Sequence, residues 1–245
     1  MYSSQPAKGT IQFQLWGIPV SIHPMSWIVL AIIGGGFGVD DRDSLVQVLC
    51  FVVAGMLTLL AHEFGHALTG RWLGSGNAAI TIAGMGGVTR HEYAPTSRLN
   101  YFITVLAGPL ASLLLGIAGG VLLGLQLNNP GIGIQLSLSM PLGIISQEAI
   151  AALYTSGMSV TLLKLYGALF IICFWWSVFN LLPILPLDGG RLLATILKND
   201  RIVCIIGLVI CGLLALWSLI SDSWFNFLIV GYLGWLNWQF YRARA

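Results

Sequence analysis

Long apolar runs dominate this chain and limit what it can fold into. Charged side chains make up only 8% of its 245 residues, whereas soluble domains carry about 25%. A membrane-spanning helix needs about 20 apolar residues, and six runs approach or exceed that length. They cover residues 24–39, 44–73, 99–127, 163–182, 202–220 and 224–241. The sequence therefore predicts an all-α polytopic membrane protein with about six transmembrane helices, which form one membrane-embedded domain over residues 1–245.

The basic residues are divided unequally between the two sides that six alternating spans would define. One side receives Lys8, Arg71, Arg90, Arg98, Arg191, Lys198, Arg201, Arg242 and Arg244, and the other receives only Arg42 and Lys164. By the positive-inside rule, this split predicts that both termini are cytoplasmic. No cleavable signal peptide is evident, which favours a bacterial inner (plasma) membrane. A net charge of +2, without clustered basic and aromatic residues, argues against a nucleic-acid partner.

Two connecting segments differ from the apolar runs. Residues 74–98, after the second predicted span, combine glycines with short β-branched alternation, which favours a small cytoplasmic β-hairpin or a re-entrant loop. Residues 128–162 contain two prolines and several glycines and are expected to form an external loop without evident chemistry.

The third predicted span carries a small residue at every fourth position. This stripe consists of Gly108, Ser112, Gly116, Gly120 and Gly124. Such a stripe permits close helix packing in a membrane, either inside one molecule, which we favour, or between two copies.

The second predicted span contains the sequence AHEFGH. His62 and His66 are four residues apart and so project from one helical face, at a spacing that lets two imidazoles bind one metal ion. Glu63 lies beside them, where its carboxylate can take a proton from the attacking water and later deliver it to a leaving amine. The alternative is a polar cluster that only binds helices together, but ionisable groups are costly to insert into a membrane.

A hydrolytic zinc site usually has three protein ligands, so a third ligand is expected elsewhere. The candidates are His23, His91, Glu92, Glu148, Asp188 and Asp222. Asp188 alone lies in a segment that resembles a site, because two prolines break an apolar run just before it and two glycines follow it. A plain cytoplasmic turn is the alternative interpretation of this segment.

The pair of motifs, HExxH in one span and NxxPxxPLDGGR from Asn180 to Arg191, resembles the site-2 protease family of intramembrane metalloproteases. The resemblance extends over most of the chain from the GIPVSIHP segment at residues 17–24. It implies one zinc ion per chain, with Asp188 as third ligand, and a role for Asn180 in placing the substrate or the developing oxyanion. Many relatives also carry a PDZ domain or paired CBS domains, and neither is expected within residues 1–245.

The resemblance further implies that the loop after the HExxH helix forms a small sheet whose edge pairs with an extended substrate. The candidate substrate-binding residues are Ile80, Thr81, Ile82, Gly86 and Gly87. The expected partners are the lipid bilayer and a transmembrane protein, such as a membrane-held transcription regulator.

The expected activity is zinc-dependent hydrolysis of a peptide bond in or near a transmembrane segment. Two alternative functions would require other residues. A catalytically inactive adaptor that binds transmembrane helices would not need Glu63, and a metal transporter would need acidic or histidine ligands along several spans.

Overall fold

The computed structural model of the protein describes residues 8–243. Its strands are β1 (Ile11–Leu15), β2 (Ile18–Ile22), β3 (Ala78–Ala83) and β4 (Gly86–His91), and its helices are α1 (Pro24–Ile33), α2 (Arg42–Trp72), α3 (Arg98–Gln126), α4 (Pro130–Ser139), α5 (Gln147–Thr155), α6 (Val160–Asn180), α7 (Asp188–Leu197), α8 (Asp200–Ile220) and α9 (Trp224–Ala243). Lys8 and Arg242 of the charge argument are therefore described, whereas Arg244 lies outside the described residues.

Four of the described helices are long and apolar enough to cross a membrane by length and composition. These are α2, α3, α6 and α8, and each coincides with one of the six predicted spans. Within the segment predicted to be an external loop, α4 and α5 are apolar and meet at a bend of 115°, so together they would count as a fifth, broken span.

The first and last predicted spans differ from these four. Helix α1 has 10 residues, and at 1.5 Å per residue it is about 15 Å long, half the thickness of a bilayer core of about 30 Å. It stops at a glycine triplet, in which Gly35 has a φ of +96°, a left-handed conformation that favours glycine. Helix α9 has 20 residues, but Asn226, Asn237 and Gln239 lower its hydropathy, and it is not among the four.

A four-stranded sheet corrects the expectation of an all-α chain with one small hairpin. The strand order is β1-β2-β3-β4, in which β2 and β3 are parallel and the two outer pairs are antiparallel. Ile18, Val20 and Ile22 alternate along β2 and are buried against α2 together with Ile80 and Ile82 of β3. The sequence prediction missed β1 and β2 because the pairing of β2 with β3 joins segments about 60 residues apart.

The stripe of small residues on α3 is filled by other helices of the same chain. A Cβ atom added at Gly116 would lie 3.1 Å from Cys173 of α6, and one at Gly124 would lie 2.6 Å from Pro130 of α4. Glycine lets these backbones lie close together. At Gly108, the same stripe lies against His66 of α2.

Candidate functional site

The two histidines of α2 meet on its buried face. His62 and His66 are 3% and 8% exposed, their ring centroids are 4.8 Å apart, and their Nε2 atoms are 3.1 Å apart. This proximity follows from the α-helical rise, which stacks residues i and i+4 one above the other.

Asp188 reaches the histidines from a break between two helices. Helix α6 ends at Asn180, the segment containing Pro183 and Pro186 is not helical, and α7 begins at Asp188 itself. The Oδ2 atom of Asp188 lies 3.0 Å from His62 Nε2 and 3.2 Å from His66 Nε2. The break therefore brings a carboxylate to His62, which lies 126 positions earlier in the chain.

The two glycines after Asp188 allow this approach. A Cβ atom at Gly189 would overlap the carbonyl oxygen of Leu181, and one at Gly190 would lie 2.6 Å from the backbone carbonyl of Ile184. Only a residue without a side chain lets the first turn of α7 pack this closely against the proline-containing segment.

The hydrogen bonds behind the histidines orient their lone pairs. Thr104 O lies 2.8 Å from His66 Nδ1, and since a carbonyl only accepts, that nitrogen carries a proton. Ser112 Oγ lies 3.3 Å from His62 Nδ1 and 3.4 Å from Gly108 O, and when its one hydrogen is donated to the Gly108 carbonyl it can only accept from His62. In the neutral rings, both Nε2 lone pairs then point at the Asp188 carboxylate.

This convergence fits a metal ion. Three electron-rich atoms stand 3.0, 3.1 and 3.2 Å apart, and tetrahedral zinc with bonds of about 2.0–2.1 Å places its ligand atoms about 3.3 Å apart. A proton can bridge only two of the three atoms, whereas a metal ion binds all of them. Carbonyl and hydroxyl partners behind the imidazoles are the usual support for metal-bound histidines.

Residues 8–243 contain one cluster of at least three histidine, cysteine or acidic side chains whose ligand atoms all lie within 4.8 Å of one another. It consists of His62, His66 and Asp188. The other five candidates for the third ligand are outside this group. One of them, His23, caps α1 instead, by accepting a hydrogen bond from the backbone N–H of Met25 at 3.3 Å.

Glu63 is buried beside the histidines and is held by β4. Its Oε2 atom accepts a hydrogen bond of 2.7 Å from the Thr89 hydroxyl, and a Cβ atom at Gly87 would overlap its side chain. The carboxylate thus has a hydroxyl donor on one side and a glycine backbone on the other, which restricts it to one orientation.

Asn180 is 8% exposed at the end of α6. Its Nδ2 donates to Trp176 O at 2.9 Å, which uses one of the two amide hydrogens and leaves the other available to a substrate oxygen. Trp176 also contacts His62 edge to face, with ring centroids 6.2 Å apart.

A cavity of about 830 Å³ connects these groups. Its lining includes His62, Glu63, His66, Gly86, Gly87, Val88, Thr89, Asn180, Asp188, Arg191, Ile229 and Tyr232. The cavity is therefore bounded by α2, β4, the break before α7, and α9, and it is large enough for several residues of an extended peptide.

The predicted substrate-binding residues divide between two places. Gly86 and Gly87 lie on β4, which has a strand neighbour on one side only among the described residues, and both line the cavity. Ile80, Thr81 and Ile82 lie on β3, which is paired on both sides, and the two isoleucines are 1% and 0% exposed. Substrate pairing at β3 is thus blocked by β2 and β4. The two edges of the sheet are β1 and β4, and of these only β4 lines the cavity.

Glu92 follows β4 and lines the cavity, and its carboxylate accepts hydrogen bonds that hold together the segments before β3 and after β4. The Tyr93 hydroxyl donates to it at 2.7 Å, and Asn77 donates from its backbone and its side chain at 3.2 and 3.1 Å. These bonds, that of Tyr93 foremost, hold the pKa of the Glu92 carboxyl below its ordinary value.

Sequence reasoning did not identify Thr104, Ser112 or Asn237 as parts of this site, nor Thr89 as the hydrogen-bond partner of Glu63. Asn237 of α9 is 0% exposed; it donates to Cys204 O at 2.6 Å and accepts from Leu185 N at 3.2 Å. It therefore ties the segment before Asp188 to α8 and α9. Its amide side chain inside an apolar run was the one sequence signal that could have indicated this structural role of Asn237.

Gly108→Ala is expected to reduce zinc binding severely, because the new methyl group would overlap the imidazole of His66. Zinc content of the purified protein measures this effect. The control is Gly212→Ala in α8, where an added Cβ meets nothing within 4 Å. Equal zinc content in both variants would contradict the assignment of His66 as a ligand.

Thr89→Val keeps the shape of the side chain and removes the donor to Glu63. A hydrogen bond to a charged group contributes about 1.5–3 kcal/mol, so the rate of the hydrolysis that the sequence predicts should fall about 10- to 100-fold while zinc content stays unchanged. Thr155→Val, which removes only the contacts of the hydroxyl with two helix carbonyls in α5, should have no such effect. An unchanged rate for Thr89→Val would show that Glu63 does not need this support.

Comparisons with known proteins agree on one family. The family model described as Peptidase family M50 matches residues 50–214. A provisionally named zinc metalloprotease of Synechocystis sp. is 28% identical over 190 residues, which cover 74% of this chain and 42% of the relative. A zinc metalloprotease of Methanocaldococcus jannaschii is 26% identical over 216 residues, which cover 85% and 53%. The chain spans about half the length of these curated relatives.

A solved structure of a site-2 protease from Methanocaldococcus jannaschii matches with a TM-score of 0.55. The two chains are 21% identical, and the match covers 95% of each. The two proteins therefore share a fold.

Proposed function

Since the chain belongs to peptidase family M50, the site-2 protease family, and is an integral membrane protein, we propose that it is an intramembrane zinc metalloprotease. Its reaction is hydrolysis of a peptide bond in or beside the transmembrane segment of another membrane protein. The observation that carries this proposal is the convergence of His62, His66 and Asp188 within 3.0–3.2 Å beside a buried Glu63.

His62, His66 and Asp188 would hold one zinc ion per chain. Bound zinc would supply a Lewis acid for the scissile carbonyl and would lower the pKa of water at the site. Glu63 accepts the proton of the attacking water and delivers it to the leaving amine. Thr89 keeps the carboxylate oriented through its hydrogen bond of 2.7 Å.

Asn180 stabilises the oxyanion with its remaining amide hydrogen. Its bond to Trp176 O fixes the amide plane at the wall of the cavity. Losing one donor of this kind costs about 2.7–4 kcal/mol in other hydrolases, so Asn180 would contribute a large share of the rate without binding the metal.

The outer edge of β4 presents the substrate as an extended strand. A transmembrane helix cannot be cut while its carbonyls bond within the helix, and pairing with Gly86–Thr89 offsets the loss of those bonds. Because Gly87 and Thr89 also contact Glu63, a strand added at this edge lies next to the general base.

For six alternating spans, the division of basic residues supports an orientation with both termini cytoplasmic, and the membrane that we propose is a bacterial inner (plasma) membrane. The site would then open toward the cytoplasm, and a membrane-held transcription regulator is a suitable class of substrate, because cleavage would release it on that side. Residues 1–245 act as one membrane-embedded catalytic domain.

The test combines zinc content with membrane proteomics. We expect about one zinc ion per purified chain, and none in a His62→Ala/His66→Ala double variant. Cells that express the unaltered chain should contain new peptide termini within single-span proteins, and cells with the double variant should lack them. Bound zinc without any new termini would favour the inactive adaptor, and a chain without zinc would end the proposal.

A further inference from the structure

A second cavity lies beside the first, at the end of the helix bundle where α3 and α8 begin. It has a volume of about 690 Å³ and shares the wall formed by Pro95, Tyr101, Pro186 and Arg191 with the catalytic cavity. The remaining lining residues are Ser97, Arg98, Leu185, Ala194, Thr195, Lys198, Asp200 and Phe240. None of the proposed steps of peptide hydrolysis uses this space.

The lining contains more basic than acidic side chains. Arg98, Arg191 and Lys198 face one carboxylate, that of Asp200. In the described part of the chain, neither Arg98 nor Lys198 has a carboxylate within 4.0 Å, and Arg191 Nη1 lies 3.6 Å from Asp188 Oδ1. The cavity therefore has an excess of positive charge that would favour an anion.

Its position corresponds to the headgroup level of a bilayer. Arg98 is the first residue of α3 and Asp200 the first of α8, and both helices are long and apolar enough to cross a membrane. The ends of such helices lie where the hydrocarbon core meets the headgroup region. Leu185 and Phe240 add apolar surface to the same cavity, which suits a ligand with an apolar part.

We propose that this cavity binds the headgroup phosphate of an anionic phospholipid. Guanidinium groups bind phosphate oxygens through paired hydrogen bonds, and Lys198 adds a point charge. The Tyr101 phenol adds a neutral donor at the shared wall. Basic pockets at this level between membrane helices suit lipid phosphates in general, and the apolar wall favours a lipid over free phosphate.

Native mass spectrometry of the delipidated full chain in detergent tests the proposal, with phosphatidylglycerol, phosphatidylcholine, inorganic phosphate and glycerol 1-phosphate as separate probes. We expect phosphatidylglycerol to bind selectively. An Arg98→Gln/Lys198→Gln variant should bind it on the order of 30-fold more weakly, at about fivefold for each lost cation. The charge-retaining variant Arg98→Lys/Lys198→Arg should keep most of the affinity.

The matched control is Arg42→Gln/Arg90→Gln, which removes two exposed arginines outside this cavity and should leave phosphatidylglycerol binding unchanged. Equal binding of the two phospholipids, or an equal loss in the control, would refute the site. Binding of inorganic phosphate or glycerol 1-phosphate as tight as that of phosphatidylglycerol would refute the lipid assignment. Because no proteolysis is measured, these outcomes are independent of the proposed enzyme activity.

Discussion

Replacing Glu63 with glutamine is expected to lower the rate of substrate cleavage about 10²- to 10⁴-fold, the range that a general acid/base contributes. The amide has nearly the shape of the carboxylate, and its oxygen can still accept the hydrogen bond from Thr89. It has no basic site for the proton of the attacking water, so only the chemical step is affected. Zinc content should stay at the level of the unaltered protein, since Glu63 is outside the three-residue cluster.

Cleavage is measured with a single-span substrate identified by its new termini and co-expressed with each variant. Glu148→Gln provides the control, because it makes the same chemical change in α5, far along the chain from the site. Near-normal cleavage by Glu63→Gln would remove Glu63 from the mechanism. Loss of zinc in that variant would instead mean that Glu63 supports the metal site.

Asp188→Asn should abolish zinc binding and cleavage together. Loss of a group that merely supports a ligand costs about 10- to 100-fold in metal affinity, so loss of an anionic ligand should cost at least 100-fold. Without a metal ion, the Asp188 carboxylate repels the Nε2 lone pair of a neutral histidine, because it has no hydrogen to donate. The asparagine amide can donate a hydrogen bond to that lone pair. The metal-free variant should therefore remain folded, although it no longer responds to zinc.

Thermal unfolding with and without added zinc measures this difference. A ligand that binds only the folded state stabilises it by RT ln(1 + [L]/Kd), so zinc should raise the melting temperature of the unaltered chain and of Glu63→Gln but not that of Asp188→Asn. Asp222→Asn, in the exposed turn between α8 and α9, should behave like the unaltered chain. A zinc response retained by Asp188→Asn would refute the three-ligand site.

The candidate metal ligands could be predicted because the sequence patterns that mark them involve only residues close together in the chain. The spacing of His62 and His66 places both on one face of any helix, and two prolines and two glycines around Asp188 mark broken backbone without knowledge of the rest of the chain. Four of the six predicted spans could be predicted for a similar reason, since the length of an apolar run is a property of a single segment.

The sheet could not be predicted in the same way. Strand β2 has only five residues, and its partner β3 follows after α1 and the 31 residues of α2. Such a pairing depends on where the intervening helices return the chain. The same holds for the choice of edge strand, because β2 and β4 together enclose β3 and leave β4 beside Glu63.

The sequence by itself determined the apolar helices, the two histidines of one helical face, the neighbouring Glu63, and the broken segment that carries Asp188. Only the tertiary structure decided which hydroxyl, carbonyl and amide groups of other elements hold these side chains, namely Thr89, Thr104, Ser112 and Asn237. The physical reason is that a hydrogen bond between distant segments depends on how whole helices pack. Glycine contacts such as that of Gly108 with His66 contribute to this packing, and no local sequence pattern encodes it.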